Sequence, residues 1–411
     1  MWLLIQLLFV TFLSSDTIGQ VLKDYDGYKL YKADLKSSDK REILKKFEGA
    51  EDFAALISSD HNDSHFLVSP RLQKEFGKIL LKNKINSTII NENVGESVLQ
   101  EYEQRMKAVT RSFELTKYDF GHFPRYYEII EYMKILVQNR RYSQIIEIGT
   151  SSKNKVIYAM KIEKSSKNPV FILDAGFHAR EWAAHVAALY IIKKLVHYEE
   201  KYADMMTFII IPCVNPDGYE YSHTTDRFWR KTRSDNKRSS CKGVDLNRNF
   251  DTHWKEISNE NRECAETYPG PKPFSEPESI ALRDTILMYQ PYAYITLHSF
   301  GSLIMYPWGF TKDLPKNWQV LHQIALKAAQ SANNGTNYTV GSSARVLYIA
   351  FGGSDDWAME KAGVPIVYTV ELPEFNGKLF VMPQEEIRPM VRETYKILKH
   401  MIFNIYDEYM Q

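Results

Sequence analysis

Phe171-Ile172-Leu173-Asp174-Ala175-Gly176-Phe177-His178-Ala179-Arg180-Glu181-Trp182 is an apolar run that opens, past a glycine, into residues able to bind a metal. A continuous apolar run of this kind reads as a strand buried on both faces. Beyond it, the apolar positions Val186, Ala187, Leu189, Tyr190, Leu195 and Val196 predict a helix starting at Glu181. His178 and Glu181 stand three apart, and a strand-end loop entering a helix can aim both at one point. A catalytic zinc site takes three protein ligands and keeps a fourth position for water, so a third ligand must come from far along the chain. Taken alone, the pair also fits a solvated helix start with a satisfied histidine.

Working outward, strands and helices alternate. Strands are predicted at 145–149, 156–161, 170–174, 207–213, 292–298 and 365–371, and helices from Pro124, at 318–332 and at 385–406. Asn215-Pro216-Asp217-Gly218 reads as a turn. This alternation implies an α/β domain over 112–411, with a mixed, largely parallel central sheet carrying helices on both faces. A smaller charged α/β unit precedes it over 20–111, with helical patterns at 39–47 and 70–81. In its last stretch Arg105, Lys107 and Arg111 mark a polar helix or connector open to a trypsin-like protease, or simply a solvated face.

The 411 residues carry a net charge of +1, which gives no electrostatic case for nucleic acid or a membrane surface. Trp2-Leu3-Leu4-Ile5-Gln6-Leu7-Leu8-Phe9-Val10, followed by polar residues and Gly19, reads as a secretory signal peptide over 1–19. The run is shorter than the ~20 residues that span a bilayer, so no membrane anchor is expected. The acceptor triplets at Asn62, Asn86, Asn334 and Asn337 agree with an extracellular glycoprotein. Cys241 and Cys264 lie in polar, loop-like sequence and are expected to pair, leaving Cys213 as a buried thiol beside an apolar strand.

Ligands of such a sheet collect beyond the carboxyl ends of its strands. His298 closes the strand Ile295-Thr296-Leu297-His298 and is the natural third ligand; His185 and His197 compete from the helix after Glu181. Together with Trp229-Arg230-Lys231-Thr232-Arg233-Ser234, Val244-Asp245-Leu246-Asn247-Arg248-Asn249, Leu297-His298-Ser299 and Gly352-Gly353-Ser354-Asp355-Asp356-Trp357, the stretch around His178 resembles the pancreatic-type zinc carboxypeptidases, the A and B family, made as a pre-proenzyme. The five motifs stand in family order.

The resemblance implies one zinc ion held by His178, Glu181 and His298. It assigns Glu371 as general base and Arg230 as oxyanion stabiliser. Asn247 and Arg248 would read the substrate's terminal carboxylate, Tyr348 would close over it, Arg180 and Ser299 would line subsites, and Asp245 would support a ligating imidazole. Asp355 stands where B-type enzymes are acidic and A-type ones apolar, which implies a preference for C-terminal Lys or Arg on peptides and proteins. Phe300 and Pro373 depart from the family's usual tyrosine and arginine. The 20–111 unit is implied to be an intramolecular inhibitor, released by a trypsin-like protease at Arg111. An A-type preference, or a metal-free peptide-binding homologue, are the competing readings.

Overall fold

The computed structural model describes residues 23–35, 40, 43–44, 47, 53–56, 63–111, 118–138, 140–257, 263–332, 337–373 and 379–411. The expected signal peptide, most of the helix at 39–47 and the acceptors Asn62 and Asn334 lie outside them. The small unit is an antiparallel sheet ordered β2-β3-β1-β4, from β1 (Lys29–Asp34), β2 (Phe53–Leu56), β3 (Asp63–Val68) and β4 (Ser87–Asn91), with helices α1 (Pro70–Lys82) and α2 (Val94–Arg111).

The large domain begins with α3 (Tyr126–Val137), β5 (Ser143–Thr150), β6 (Val156–Ile162) and β7 (Val170–Ala175), then α4 (Trp182–His197), β8 (Thr207–Ile211) and α5 (Pro216–Thr224). It continues through α6 (Pro277–Tyr289), β9 (Ala293–Ser299), β10 (Leu303–Tyr306), α7 (Trp318–Gln330), β11 (Thr339–Ser342), α8 (Ser354–Glu360), β12 (Ile366–Leu372) and α9 (Gln384–Met410). Its sheet runs β11-β10-β12-β9-β7-β8-β6-β5. The central β12-β9-β7-β8 stretch is parallel. The β12–β10, β8–β6 and β6–β5 pairs are antiparallel, so the sheet is mixed.

Successive residues of a strand point to opposite faces. In β7, Phe171, Leu173 and Ala175 join the core beneath α3, α4, α7 and α9, whereas Ile172 joins Leu282, Ile286 and Trp357 under α6 and α8. Both faces are therefore covered, which is why the run at 171–173 shows no alternation. Gly176 ends the strand at φ +79°, and a Cβ there would lie 2.0 Å from the His185 ring; only glycine fits both the turn and the packing.

The predicted turn at 215–218 is instead the start of α5: the Asn215 side chain accepts the Gly218 N–H, and Pro216 occupies the first helical turn, where its missing donor costs nothing. Cys241 and Cys264 form a disulfide, and Cys213 is a buried free thiol.

One buried carboxyl makes stability depend on pH. Glu278 in α6 accepts the Ser152 N–H at 2.8 Å through one oxygen, tying the β5–β6 turn to the helix, while its other oxygen has no partner. Burial pushes its pKa from 4.5 to about 8. Between those values the folded chain keeps a proton that the unfolded chain has released, so stability falls as pH rises from 4.5 to 8 and changes little from this source outside that window. Glu278→Gln keeps the acceptor and removes the titration. It is expected to flatten that part of the stability profile and to stabilise the protein at pH 8 by roughly 3 kcal/mol, read from denaturant melts at pH 5 and 8.

Candidate active site

β7 and β9 are neighbours, and their carboxyl ends deliver His178 and His298 to the same edge, while the turn at Gly176 brings Glu181 back as the N-cap of α4. His178 Nδ1 lies 2.7 Å from Glu181 Oε1 and 3.2 Å from His298 Nδ1, and His298 Nδ1 lies 3.0 Å from Glu181 Oε2. All three residues are buried. Among the described residues this is the group of three side chains whose donor atoms converge closely enough, within 4.8 Å, to hold a metal. Two imidazole nitrogens facing each other with a carboxylate oxygen form a nitrogen and oxygen donor set that suits zinc. The competitors are used elsewhere: His185 Nδ1 sits on the Pro212 carbonyl at 3.0 Å, and His197 Nε2 on that of Leu136 at 3.2 Å.

Around the ligands, Asp245 is the hub. Its Oδ1 lies 3.1 Å from His178 Nε2, which fixes the opposite ring nitrogen as a lone pair for the metal, and it also accepts the Asn247 N–H at 3.0 Å. Its Oδ2 takes the Arg230 Nε and Nη2 donors at 3.1 and 2.9 Å. Burial opposes its charge, but Arg230 and His178 outweigh that and hold it well below the usual carboxylate range. One carboxylate thus orients a ligand, an arginine and the short helix Leu246–Arg248. The Ser299 N–H donates to Glu181 Oε2 at 3.1 Å and steadies the second ligand.

Glu371 reaches the site through strand register: in the parallel β9–β12 pair it stands opposite His298. Burial in the cleft pushes its pKa from 4.5 to about 8, with Glu181 adding to the rise and His298 and Arg230 opposing it. Glu371, Arg230, Asn247, Arg248, Tyr348, Arg180, Ser299 and Asp355 all line one cavity of about 100 Å³ with the three ligands. Arg248 Nη2 donates to the Tyr348 hydroxyl at 3.3 Å, and Asn247 Oδ1 accepts the Ser354 N–H at 3.0 Å. Arg180 is held at 2.8 Å by Glu266, and its guanidinium lies 4.8 Å from the Phe380 ring centre. Asp355, in the first turn of α8, accepts the Thr369 hydroxyl at 2.9 Å.

The small unit packs against the wall of this cleft. Tyr25, Tyr28, Leu30, Leu67, Val94 and Val98 form one apolar cluster with Phe228, Phe300 and Phe380, two of which line the cavity. Two buried ion pairs anchor α2: Glu101 to Arg227 at 2.5 and 3.1 Å, and Arg105 to Glu128 at 3.2 Å. Arg227 also donates to the Arg180 and Phe380 carbonyls. The expectation of an accessible basic stretch is therefore corrected at Arg105, which is buried, while Lys107 is exposed and α2 ends at Arg111. Sequence reasoning missed Glu101 and Arg227 because their partnership spans the domain junction and leaves no local pattern.

Glu101→Gln would leave Arg227 buried without its counter-charge, a loss worth several kcal/mol in such pairs. The intact proenzyme carrying it is expected to turn over a small substrate about tenfold faster than the unaltered proenzyme, with no difference between the two once the small unit has been removed.

Two imidazoles and a carboxylate converging at the strand ends of an α/β sheet, with a further carboxylate on the adjacent strand, define a metal-dependent hydrolase. The chain belongs to the zinc carboxypeptidase family, which matches residues 129–397, and the carboxypeptidase activation peptide family matches residues 31–101. It is 40% identical to carboxypeptidase B of Astacus astacus over 65% of this chain and 91% of that one. It is 33% identical to zinc carboxypeptidase A 1 of Drosophila melanogaster over 90% of each. The crystal structure of carboxypeptidase A from Helicoverpa armigera superposes with a TM-score of 0.86 at 30% identity, covering 94% of this chain and 99% of that one. The protein is a zinc metallocarboxypeptidase made as a zymogen, its zinc held by His178, Glu181 and His298, acting on peptides and inhibited by its own activation peptide.

Proposed function

We propose that this chain is a secreted proenzyme whose mature part, from 112 onward, removes C-terminal Lys or Arg from peptides. The observation that carries the specificity is Asp355. It is a buried carboxylate facing the cavity, with no cationic partner among the described residues. Leaving such a charge unpaired is costly, and a substrate ammonium or guanidinium would supply the missing partner. Gly353 keeps the approach open, since a Cβ there would stand 2.7 Å from Asp355 Oδ1. Met305 and Leu347 on the same cavity wall favour the rival A-type reading, with apolar C-terminal residues.

When bound, zinc supplies a Lewis acid that polarises the scissile carbonyl and acidifies the attacking water. Glu371 takes the water's proton and returns it to the leaving amine. Arg230 keeps Nε and Nη2 on Asp245, and its Nη1 is available to the developing oxyanion. Arg248 and Asn247 bind the terminal carboxylate through a planar fork and an amide, and Tyr348 closes over it. Arg180 and Ser299 line the subsites on the other side of the scissile bond.

The apolar run at 2–10 and the Cys241–Cys264 disulfide support secretion, and among the described residues no helix is long and apolar enough to cross a membrane. Arg111, at the end of α2, is the proposed cleavage point for a trypsin-like protease. The deciding experiment is turnover of peptides ending in Arg, Phe and Glu, before and after trypsin, with and without chelator. We expect Arg to be preferred by at least tenfold, only after trypsin and only without chelator. Faster release of Phe would overturn the basic preference and leave the carboxypeptidase assignment intact.

A further inference from the structure

We propose that a pocket between the C-terminal half of α4 and the N-terminal half of α9 binds a tetrahedral oxyanion, either free phosphate or sulfate or the sulfate ester of a saccharide. The pocket encloses about 180 Å³ and lies apart from the catalytic cavity. α4 carries Glu181 at its N-cap and Lys193 about three turns on, ~18 Å along the axis at ~1.5 Å per residue.

Four cations line this pocket: Lys193 and Lys194 on α4, and Arg388 and Arg392 on successive turns of α9. Asp119 is its one acidic residue, and Arg388 already engages it through both carboxylate and carbonyl. Lys193, Lys194 and Arg392 have no carboxylate within ion-pairing distance among the described residues. A chain with a net charge of +1 has no general excess of basic residues, so three cations without a carboxylate at ion-pairing distance round one cavity, one of them (Arg392) hydrogen-bonded to the Tyr190 hydroxyl, are a local concentration that attracts anions.

The side chains are also held in place. The Lys193 ammonium stands 5.0 Å from the Phe120 ring centre, and that of Lys194 5.7 Å from Tyr190 and 5.0 Å from Tyr198. Partial burial and the neighbouring Lys194 push the Lys193 pKa down, and the pull of Asp119 offsets this only in part, so a bound anion would relieve the remainder. Guanidinium forks suit the paired oxygens of phosphate and sulfate, and aromatic faces suit the apolar side of a sugar ring. The proposed catalytic cycle uses none of these residues.

The test is calorimetric titration of the intact proenzyme with inorganic phosphate, inorganic sulfate and a sulfated disaccharide, at constant ionic strength maintained with sodium chloride. The expected result is one saturable site per chain, weakened at least tenfold in the K193Q/R392Q double variant, with carboxypeptidase turnover of the processed variant unchanged. Tighter binding of the disaccharide than of sulfate identifies a glycan ester as the occupant; equal binding identifies the free anion. Phosphate should also slow acylation of Lys193 in the unaltered protein, read by peptide mass mapping, a measurement that does not depend on the variant folding. No saturable heat beyond the chloride control, or equal affinity in the double variant, would overturn the proposal.

Discussion

Glu371→Gln is expected to lower kcat of the processed enzyme about a thousandfold, the scale on which a positioned general base acts, or ~4 kcal/mol of barrier. Glutamine keeps the size and one oxygen of the carboxylate, so the cavity and the β9–β12 register should survive. It cannot accept the proton. Substrate binding depends on Arg248, Asn247 and Asp355 in our assignment, so KM should change by less than about threefold, the pattern of an interaction made only in the transition state. Zinc content, measured by atomic absorption, should stay at one ion per chain, because His178, Glu181 and His298 are untouched.

The pH profile gives a second readout. Burial raises the Glu371 pKa above the ordinary 4.5, and the base must be ionised to act, so kcat/KM should climb with pH along a limb displaced to the alkaline side of a free carboxylate. A bound divalent cation adds a downward pull, which places the limb between 4.5 and about 8. In the glutamine variant that limb should be gone. Residual activity within tenfold of the unaltered enzyme would remove Glu371 from the chemistry.

How much of this was readable beforehand depended on whether the cause was local. The stretch at 171–182 could be read because a strand covered on both faces has to be apolar throughout, and because two metal ligands three residues apart need a turn that glycine provides. His298 followed from being delivered by a buried strand to the same edge. The opposition of Glu371 to His298 needs strand order and register, which periodicity alone does not give. β10 and β11 were missed because four-residue strands carry too little pattern to stand out. α6 was missed because Glu278, Ser279 and Thr285 take buried positions that an apolar stripe would normally fill. At 215–218 local composition pointed the wrong way, since asparagine, proline and glycine serve a helix start as well as a turn. The Arg105–Glu128 and Arg227–Glu101 pairs join residues far apart in sequence, and a basic residue on a polar helix ordinarily faces water.

Asp355→Asn is expected to lower kcat/KM for a peptide ending in Arg about a hundredfold or more, while that for a peptide ending in Phe rises. In our assignment a substrate cation entering the cavity would pair with a carboxylate that is already desolvated, so part of the cost of burying that charge would have been met by folding. Removing one partner of a buried pair commonly costs ~3–5 kcal/mol because the other is left uncompensated, and here the substrate would be that other partner. The asparagine can still accept the Thr369 hydroxyl through its amide oxygen and gives up only the short-range bond from the Asp356 N–H, so the pocket's shape should persist and most of the change should fall on charge. An apolar substrate meets the reverse situation: with aspartate present it seals an anion away from water, and with asparagine it does not. The Arg-to-Phe ratio therefore moves from both ends, which separates a specificity residue from one that merely caps α8, whose loss would lower both rates together through stability. A ratio shifted less than fivefold, with both rates reduced alike, would assign Asp355 to the helix and return the specificity to the apolar wall of Met305 and Leu347.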